Sequence, residues 1–353
     1  MHPAVTVLID TYNHERFIEE AIVSVLAQDF PATDTEILVV DDGSTDRTPE
    51  IVRKFEPRVR LLRKENGGQA SAFNAGIPEA RGEIVAFLDG DDWWAPNKLL
   101  RVMETINADP SLGIVGNGIV MVQLDGSTQS EVLRENFRFQ ANTVEGARLF
   151  RLRKSFLGTS RMTIRRDLLR RIGPVPEILR VEADEYLFTL AAVLLPAAIL
   201  PDAVTYYRYH DANGFQMSVP DPVRLRKKQI VLDSLAKMLA SEMQRYQIDP
   251  ACAQMISEIV QVEADQIRLV LGEGTPAETF RTEWKIYEVL CPTATFSHRM
   301  FKRLSLAPSL FLPPKKFYEL RSRIVASSFY RATRAQILPN PARPHVENAW
   351  TAK

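Results

Sequence analysis

The chain has 353 residues, 45% apolar and 25% charged, with 44 basic and 44 acidic side chains and a formal net charge of zero. That length supports a sizeable core and two domains, and the balance of charge gives no overall pull toward nucleic acid, so no nucleic-acid partner is expected. The only cysteines, Cys252 and Cys291, lack metal-type spacing, which argues against a disulfide framework and for a reducing, cytoplasmic compartment.

The N-terminus enters a strand-like run at once, without a charged and apolar leader, so no signal peptide is expected. Val5 to Ile9 reads as a first buried strand ending in Asp10, Thr11, Tyr12, Asn13 and His14. A helix is predicted over 16–28, with Phe17, Ile18, Ala21, Ile22, Val25 and Leu26 at helical spacing. A second strand over 36–40 runs into Asp41-Asp42-Gly43-Ser44-Thr45-Asp46, where Thr45 or Asp46 can cap the next helix. A short strand over 59–62, a loop at Asn66-Gly67-Gly68 and a helix over 71–80 follow. Ile84 to Leu88 is an unbroken apolar run, as expected of a strand buried on both faces of a parallel sheet, and it leads directly into Asp89-Gly90-Asp91-Asp92. Carboxylates this close repel one another, and Asp-Gly-Asp suits a divalent ion held by oxygen; the plain alternative is an Asp-Gly turn. Strands alternating with helices mean βαβ units, whose ligands bind beyond the carboxyl ends of the strands. Tyr12, Asp42 and Asp91 each follow a strand, so all three can line one crevice.

The second part of the sheet is less regular. A strand over 113–124 with an Asp125-Gly126-Ser127 turn, a helix over 143–150, a short strand at 162–164 and a helix at 167–172 are predicted. Glu182 to Leu187 opens an apolar helix ending at Pro196, and a late strand over 204–209 ends at His210. The longest apolar run, 187–201, is too short to span a bilayer. From Pro222 the pattern turns helical: 223–246, 251–271, 277–290 and a last basic helix over 315–336 with Phe317, Leu320, Ile324, Val325 and Phe329 mostly on one face. The expected division is a first domain over 1–215, a helical domain over 216–338 and a disordered tail over 339–353.

Val5 to Asn13, Val39 to Asp46, Asn66-Gly67-Gly68 with Asn74-Ala75-Gly76, and Leu88 to Asp92 resemble, in order and spacing, the signature blocks of family 2 glycosyltransferases. The resemblance covers about residues 4–212. It implies an α/β GT-A fold, a Rossmann-like and mostly parallel sheet flanked by helices, with the helical C-terminal region after it. It also implies inverting transfer of a sugar from a nucleotide diphosphate donor with a divalent metal ion, Mn2+ or Mg2+, and the absence of a Gln-x-x-Arg-Trp pattern and of membrane spans favours transfer of a single sugar. Thr11, Tyr12, Asp42, Gly68 and Asp89 are then the donor-binding residues, Tyr12 by stacking on the base and Asp42 by accepting a base N–H. Core packing is the plain alternative for Tyr12, and a turn cap for Asp42. Asp91, with Asp89 and His210, is expected at the metal. Asp41 and Asp92 point the other way on an extended backbone. Asp184 falls where the family carries the base for the acceptor hydroxyl, although Ala183 departs from the acidic pair usual there; Glu182 or Glu185 could take over, and acids in a helix's first turn also need no catalytic reason. Trp93 and Trp94 either stack on sugar or pack the next helix. The rivals are a nucleotidyltransferase-like enzyme, which lacks its phosphate loop here, and a silent nucleotide-sugar-binding module, which would not need Asp91 and Asp184.

Between Cys291 and Arg334 nine Lys or Arg face one acid, Glu319, and apolar residues interleave them. That surface suits weak attachment to an anionic membrane, where this family's lipid-linked acceptors reside, or a homodimer through the C-terminal helices.

Overall fold

The computed structural model describes residues 3–210, 221–291 and 293–326. The chain forms two compact units, 1–210 with 241–252, and 211–240 with residues from 253 onward. The tail over 339–353 and the basic residues Arg331 and Arg334 lie outside the described residues, as do Phe329 and the 215/216 boundary.

The first unit opens with strand β1 (Val5–Thr11), helix α1 (Ile18–Leu26), β2 (Thr35–Asp41), α2 (Thr48–Arg53), β3 (Arg60–Arg63), α3 (Gln69–Glu79) and β4 (Ile84–Asp89). β1 pairs in parallel with both β2 and β4, and β2 with β3. Every residue of β4 but the last is buried, because helices cover both faces. Alternation along the strands assigns the faces. Val5, Val7 and Ile9 of β1 and Ile84, Ala86 and Leu88 of β4 join Ile18, Ile22 and Val25 of α1 in one core. Phe87 points the other way, onto Phe73 of α3, ring centroids 5.1 Å apart. Each such buried aromatic contributes about 1.5–3 kcal/mol of transfer free energy.

Then come β5 (Trp93–Trp94), α4 (Lys98–Ala108), β6 (Ile114–Val122), β7 (Thr128–Glu131), β8 (Phe137–Phe139), α5 (Val144–Arg153), β9 (Thr163–Arg165), α6 (Arg166–Ile172), α7 (Ala183–Leu194) and β10 (Ala197–Arg208). The ten strands form one mixed sheet in the order β3-β2-β1-β4-β9-β6-β10-β5, with β7 on β6 and β8 on β10. β9 is antiparallel to β4 and β6, so the parallel order stops at β4. This mixed sheet flanked by helices, with a helical region after it, agrees with the expected GT-A fold.

The apolar helix expected to end at Pro196 is α7, which ends at Leu194, but β10 begins at Ala197, seven residues before the predicted strand. Of the two expected caps of α2, Asp46 accepts the Thr48 N–H at 2.9 Å, although Arg47 is the residue directly before the helix.

The second unit holds most of α8 (Pro222–Arg245) and of α9 (Pro250–Val270), then α10 (Pro276–Leu290), α11 (Phe296–Leu306) and α12 (Pro314–Ala326). Leu232, Leu235, Ile256, Val260, Ala264 and Ile267 form its interior. Thr275 and Glu278 cap α10 reciprocally. α11 was not expected, and the supposed apolar face of the last helix is divided: Phe317 is buried while Leu320 and Ile324 are exposed. Among the described residues no helix is long and apolar enough to cross a membrane.

Candidate active site

The parallel register brings the polar ends of β1, β2 and β4 to one edge of the sheet. Asp10 is level with Asp89, and Thr11 with Asp41. The Gly90 N–H donates to the Asp10 carbonyl and the Asp42 N–H to that of Thr11, both at 2.9 Å. Gly90 is required by proximity, since a Cβ there would lie 2.6 Å from Thr11 Oγ1 and 2.9 Å from His14 Nδ1.

Asp91 lies against two imidazoles, with its Oδ2 2.9 Å from His210 Nε2 and 3.8 Å from His14 Nε2. Burial by itself would raise its pKa, but the His210 hydrogen bond and the His14 charge outweigh it and hold Asp91 below the usual carboxylate value. Asp89 behaves oppositely: burial first, then the charges of Asp10, Asp91, Asp92 and Asp184, push it well above. Asp10 is raised well above for the same two reasons, burial and then Asp91. Burial and Asp91 push Asp92 to about 8 despite its hydrogen bond with Ser160.

The turn Thr159–Arg161 joins these carboxylates to Asp184. Thr159 donates its N–H and its hydroxyl to Asp184 Oδ2, at 3.1 and 3.0 Å. The next residue, Ser160, donates its hydroxyl to Asp92 Oδ2 at 2.6 Å and accepts the Asp89 N–H at 3.1 Å. Its carbonyl in turn accepts from Lys98 Nζ, Trp94 Nε1 and the Thr205 hydroxyl. Lys98 is fully buried over the Trp94 ring, and burial holds its amine well below the ordinary lysine range. Asp184 lies in the first turn of α7, two residues after Glu182, whose backbone is left-handed at φ 60°. Burial, then the charge of Glu182, raises the Asp184 pKa. Glu185 is drawn away into an ion pair with Lys154 at 2.7 Å.

At the far end of the edge, Asp42 accepts from the N–H groups of Gly67 and Gly68, from Asn66 and from Lys64. The carboxylate thereby shapes the 64–68 loop. Gly68, at φ +86°, allows this approach, since a Cβ would lie 2.7 Å from the Arg180 carbonyl. Tyr12 is 43% exposed, so core packing does not account for it. Trp93 stacks on Tyr206, with ring centroids 5.1 Å apart, and Arg208 lies over it, so packing accounts for that tryptophan. Trp94 is buried.

The structure thus gathers Thr11, Asp89, Asp91 and His210, and ties Asp184 to them through Thr159 and Ser160. Asp42, just after β2, and Gly68, on the 64–68 loop, meet beside them. Sequence reading gives no role to Asp10, His14, Thr159, Ser160 or Lys98. Asp10 and His14 could have been found by the argument applied to Asp42 and Asp91, polar groups where a buried strand ends. Thr159 and Ser160 carry no such local signal.

Among the described residues no three His, Cys, Asp or Glu side chains are set to hold a metal ion alone. The donor chemistry nevertheless fits a hard divalent cation: carboxylate oxygens crowded without enough positive charge, imidazole beside them, and a sealed Asp10 Oδ1 without a hydrogen-bond partner among the described residues. Asp91 and His210 could hold such an ion if phosphate and water complete its shell.

A family model described as glycosyl transferase family 2 matches residues 6–173. The succinoglycan biosynthesis protein ExoO of Rhizobium meliloti is 31% identical over 263 residues, covering 72% of this chain and 72% of that protein. An uncharacterized glycosyltransferase of Nostoc sp. is 34% identical over 222 residues, 60% of this chain and 66% of that protein. The chain therefore spans just under two thirds of the Nostoc protein. Among solved structures, residues 1–349 of Staphylococcus aureus TarS, in complex with UDP-GlcNAc, align with a TM-score of 0.55 at 19% identity, covering 90% of this chain and 91% of that one.

Proposed function

The chain belongs to glycosyl transferase family 2, and from this premise we propose that it moves a single hexose-type sugar from a nucleotide diphosphate sugar to an acceptor hydroxyl, with inversion at the anomeric carbon. The observation that carries this reading is a pair of unlike carboxylates in one site: Asp91, held ionised by imidazole, and Asp184, raised by burial and held by Thr159, whose neighbour Ser160 bonds Asp89 and Asp92 on either side of Asp91. Unlike environments suit unlike roles.

Asp91, with Asp89 and His210, would hold Mn2+ or Mg2+. The ion, when bound, would neutralise charge on the departing nucleoside diphosphate. The chain's own residues supply the rest. Tyr12 stacks on the base, worth about 1–3 kcal/mol in comparable base stacking. Asp42 accepts a base N–H, with one of its loop contacts yielding, while Thr11 and Gly68 border the donor. Asp184 takes the acceptor's proton at Oδ1 or Oδ2; its raised pKa makes it a better base than an ordinary aspartate.

ExoO is named for succinoglycan biosynthesis, which supports a carbohydrate or lipid-linked acceptor in polysaccharide or glycolipid synthesis. Weak attachment to an anionic membrane face is part of the proposal. It is supported within the second unit by Phe296, Phe301 and Phe311, 78%, 70% and 81% exposed, among Arg299, Lys315 and Lys316.

The test of donor use is a thermal-shift panel of nucleotide sugars with Mn2+. A cognate donor raises the melting temperature, because it binds only the folded state. No shift with any donor would refute the reading.

A further inference from the structure

Asp10 has no part in the mechanism above. It lies at the end of β1, level with Asp89, and its carbonyl anchors Gly90, so it sits under the loop that presents Asp91. Its Oδ1 is sealed from solvent and has no hydrogen-bond partner among the described residues. The charges acting on it most strongly are those of carboxylates, Asp91 first, then Asp184 and Asp42; Asp10 is in turn the strongest charge acting on Asp89.

A sealed carboxylate oxygen needs a hydrogen-bond donor, and a carboxylate among carboxylates needs positive charge. A hydrated divalent cation supplies both. Mg2+ keeps several of its waters in protein sites, and each of them is a donor carried on a positive centre. No bulky side chain intervenes in the loop, because residue 90 is glycine.

We propose that Asp10 is a positioning residue for the divalent cation, its carboxylate turning so that the sealed Oδ1 accepts a hydrogen bond from a water on the ion held at Asp91. The proposal rests on the reading of Asp91 as a metal ligand. It assigns Asp10 a function that an acid buried for structural reasons would not have. A carboxylate that receives the ion's water fixes that water and adds charge attraction. Losing such a supporting partner typically weakens metal binding about 10–100-fold.

The experiment titrates Mn2+ into full-length protein with UDP, reading free Mn2+ by electron paramagnetic resonance, for wild type, Asp10→Asn, Asp10→Ser and Asp91→Asn. Thermal melts with and without Mn2+ accompany it. Asp10→Asn and Asp10→Ser are expected to bind Mn2+ about 10–100-fold more weakly. Without Mn2+ they should melt no lower than wild type, since a repelling charge has gone, and with it they should gain less. Asp91→Asn should lose saturable binding. If both Asp10 variants bind Mn2+ like wild type while Asp91→Asn does not, Asp10 is a structural acid and the inference falls. If wild type shows no saturable Mn2+ binding, the metal reading of Asp91 falls, and the role of Asp10 with it.

Discussion

Asp184 is held at Oδ2 by two donors from Thr159 and at Oδ1 by the Glu185 N–H, while burial and Glu182 oppose its ionisation. Its pKa is raised, so the base is lost as pH falls through a value above the ordinary aspartate range, and the acid limb of kcat should lie correspondingly high. Thr159→Val removes a hydrogen bond to the charged form. It should move that limb further up and lower kcat at neutral pH, with donor KM unchanged; Thr159→Ser should restore both. A pH–rate profile identical to wild type would remove Thr159 from the account. Asp184→Asn should lower kcat by about 10²–10⁴-fold with donor affinity retained. The acid at 184 was legible because it lies in the first turn of a helix in the expected place. The threonine that sets its basicity was not, because a contact over 25 residues leaves no periodic trace. Glu185 was a candidate substitute, and its pairing with Lys154 commits it elsewhere.

The turn Thr159–Arg161 is the element that joins the two halves of the site. Its length, a single 3-10 turn, places neighbouring residues on Asp184 and on Asp92 with Asp89. Ser160→Ala would leave the buried Asp92 Oδ2 without its hydroxyl partner, at a cost of about 1–3 kcal/mol in unfolding free energy. Urea denaturation checks this, and a loss below about 0.5 kcal/mol would show that Asp92 finds another partner. The strand ends were legible because unbroken apolar runs stop at polar groups, as Ile84 to Asp89 does. β7, β8 and the first half of β10 were not. In the run 187–201 both the helix and the strand are buried all round, so apolarity is continuous and periodicity cannot separate them. α11 escaped for the opposite reason: Phe296, Phe301 and Leu304 face outward, so the pattern of a buried stripe is missing.

At the scale of the whole chain, neutral overall charge conceals exposed phenylalanines among basic residues in the second unit. Phe296, Phe301 and Phe311 with Lys315 and Lys316 predict co-sedimentation with anionic vesicles at low salt. Binding should fall at high salt and in Phe301→Ser with Phe311→Ser, because each basic residue contributes about 1 kcal/mol that salt screens. Binding indifferent to lipid charge, or a concentration-dependent dimer that the same variants disrupt, would assign the surface to other work. The most direct measurement of the central claim is release of nucleoside diphosphate from a panel of nucleotide sugars, with Mn2+ and with chelator, by wild type and Asp91→Asn. The account predicts slow release of nucleoside diphosphate from the cognate donor with Mn2+, its suppression by the chelator, and its loss in Asp91→Asn. Release that survives both the chelator and Asp91→Asn, or no release from any donor, would contradict it.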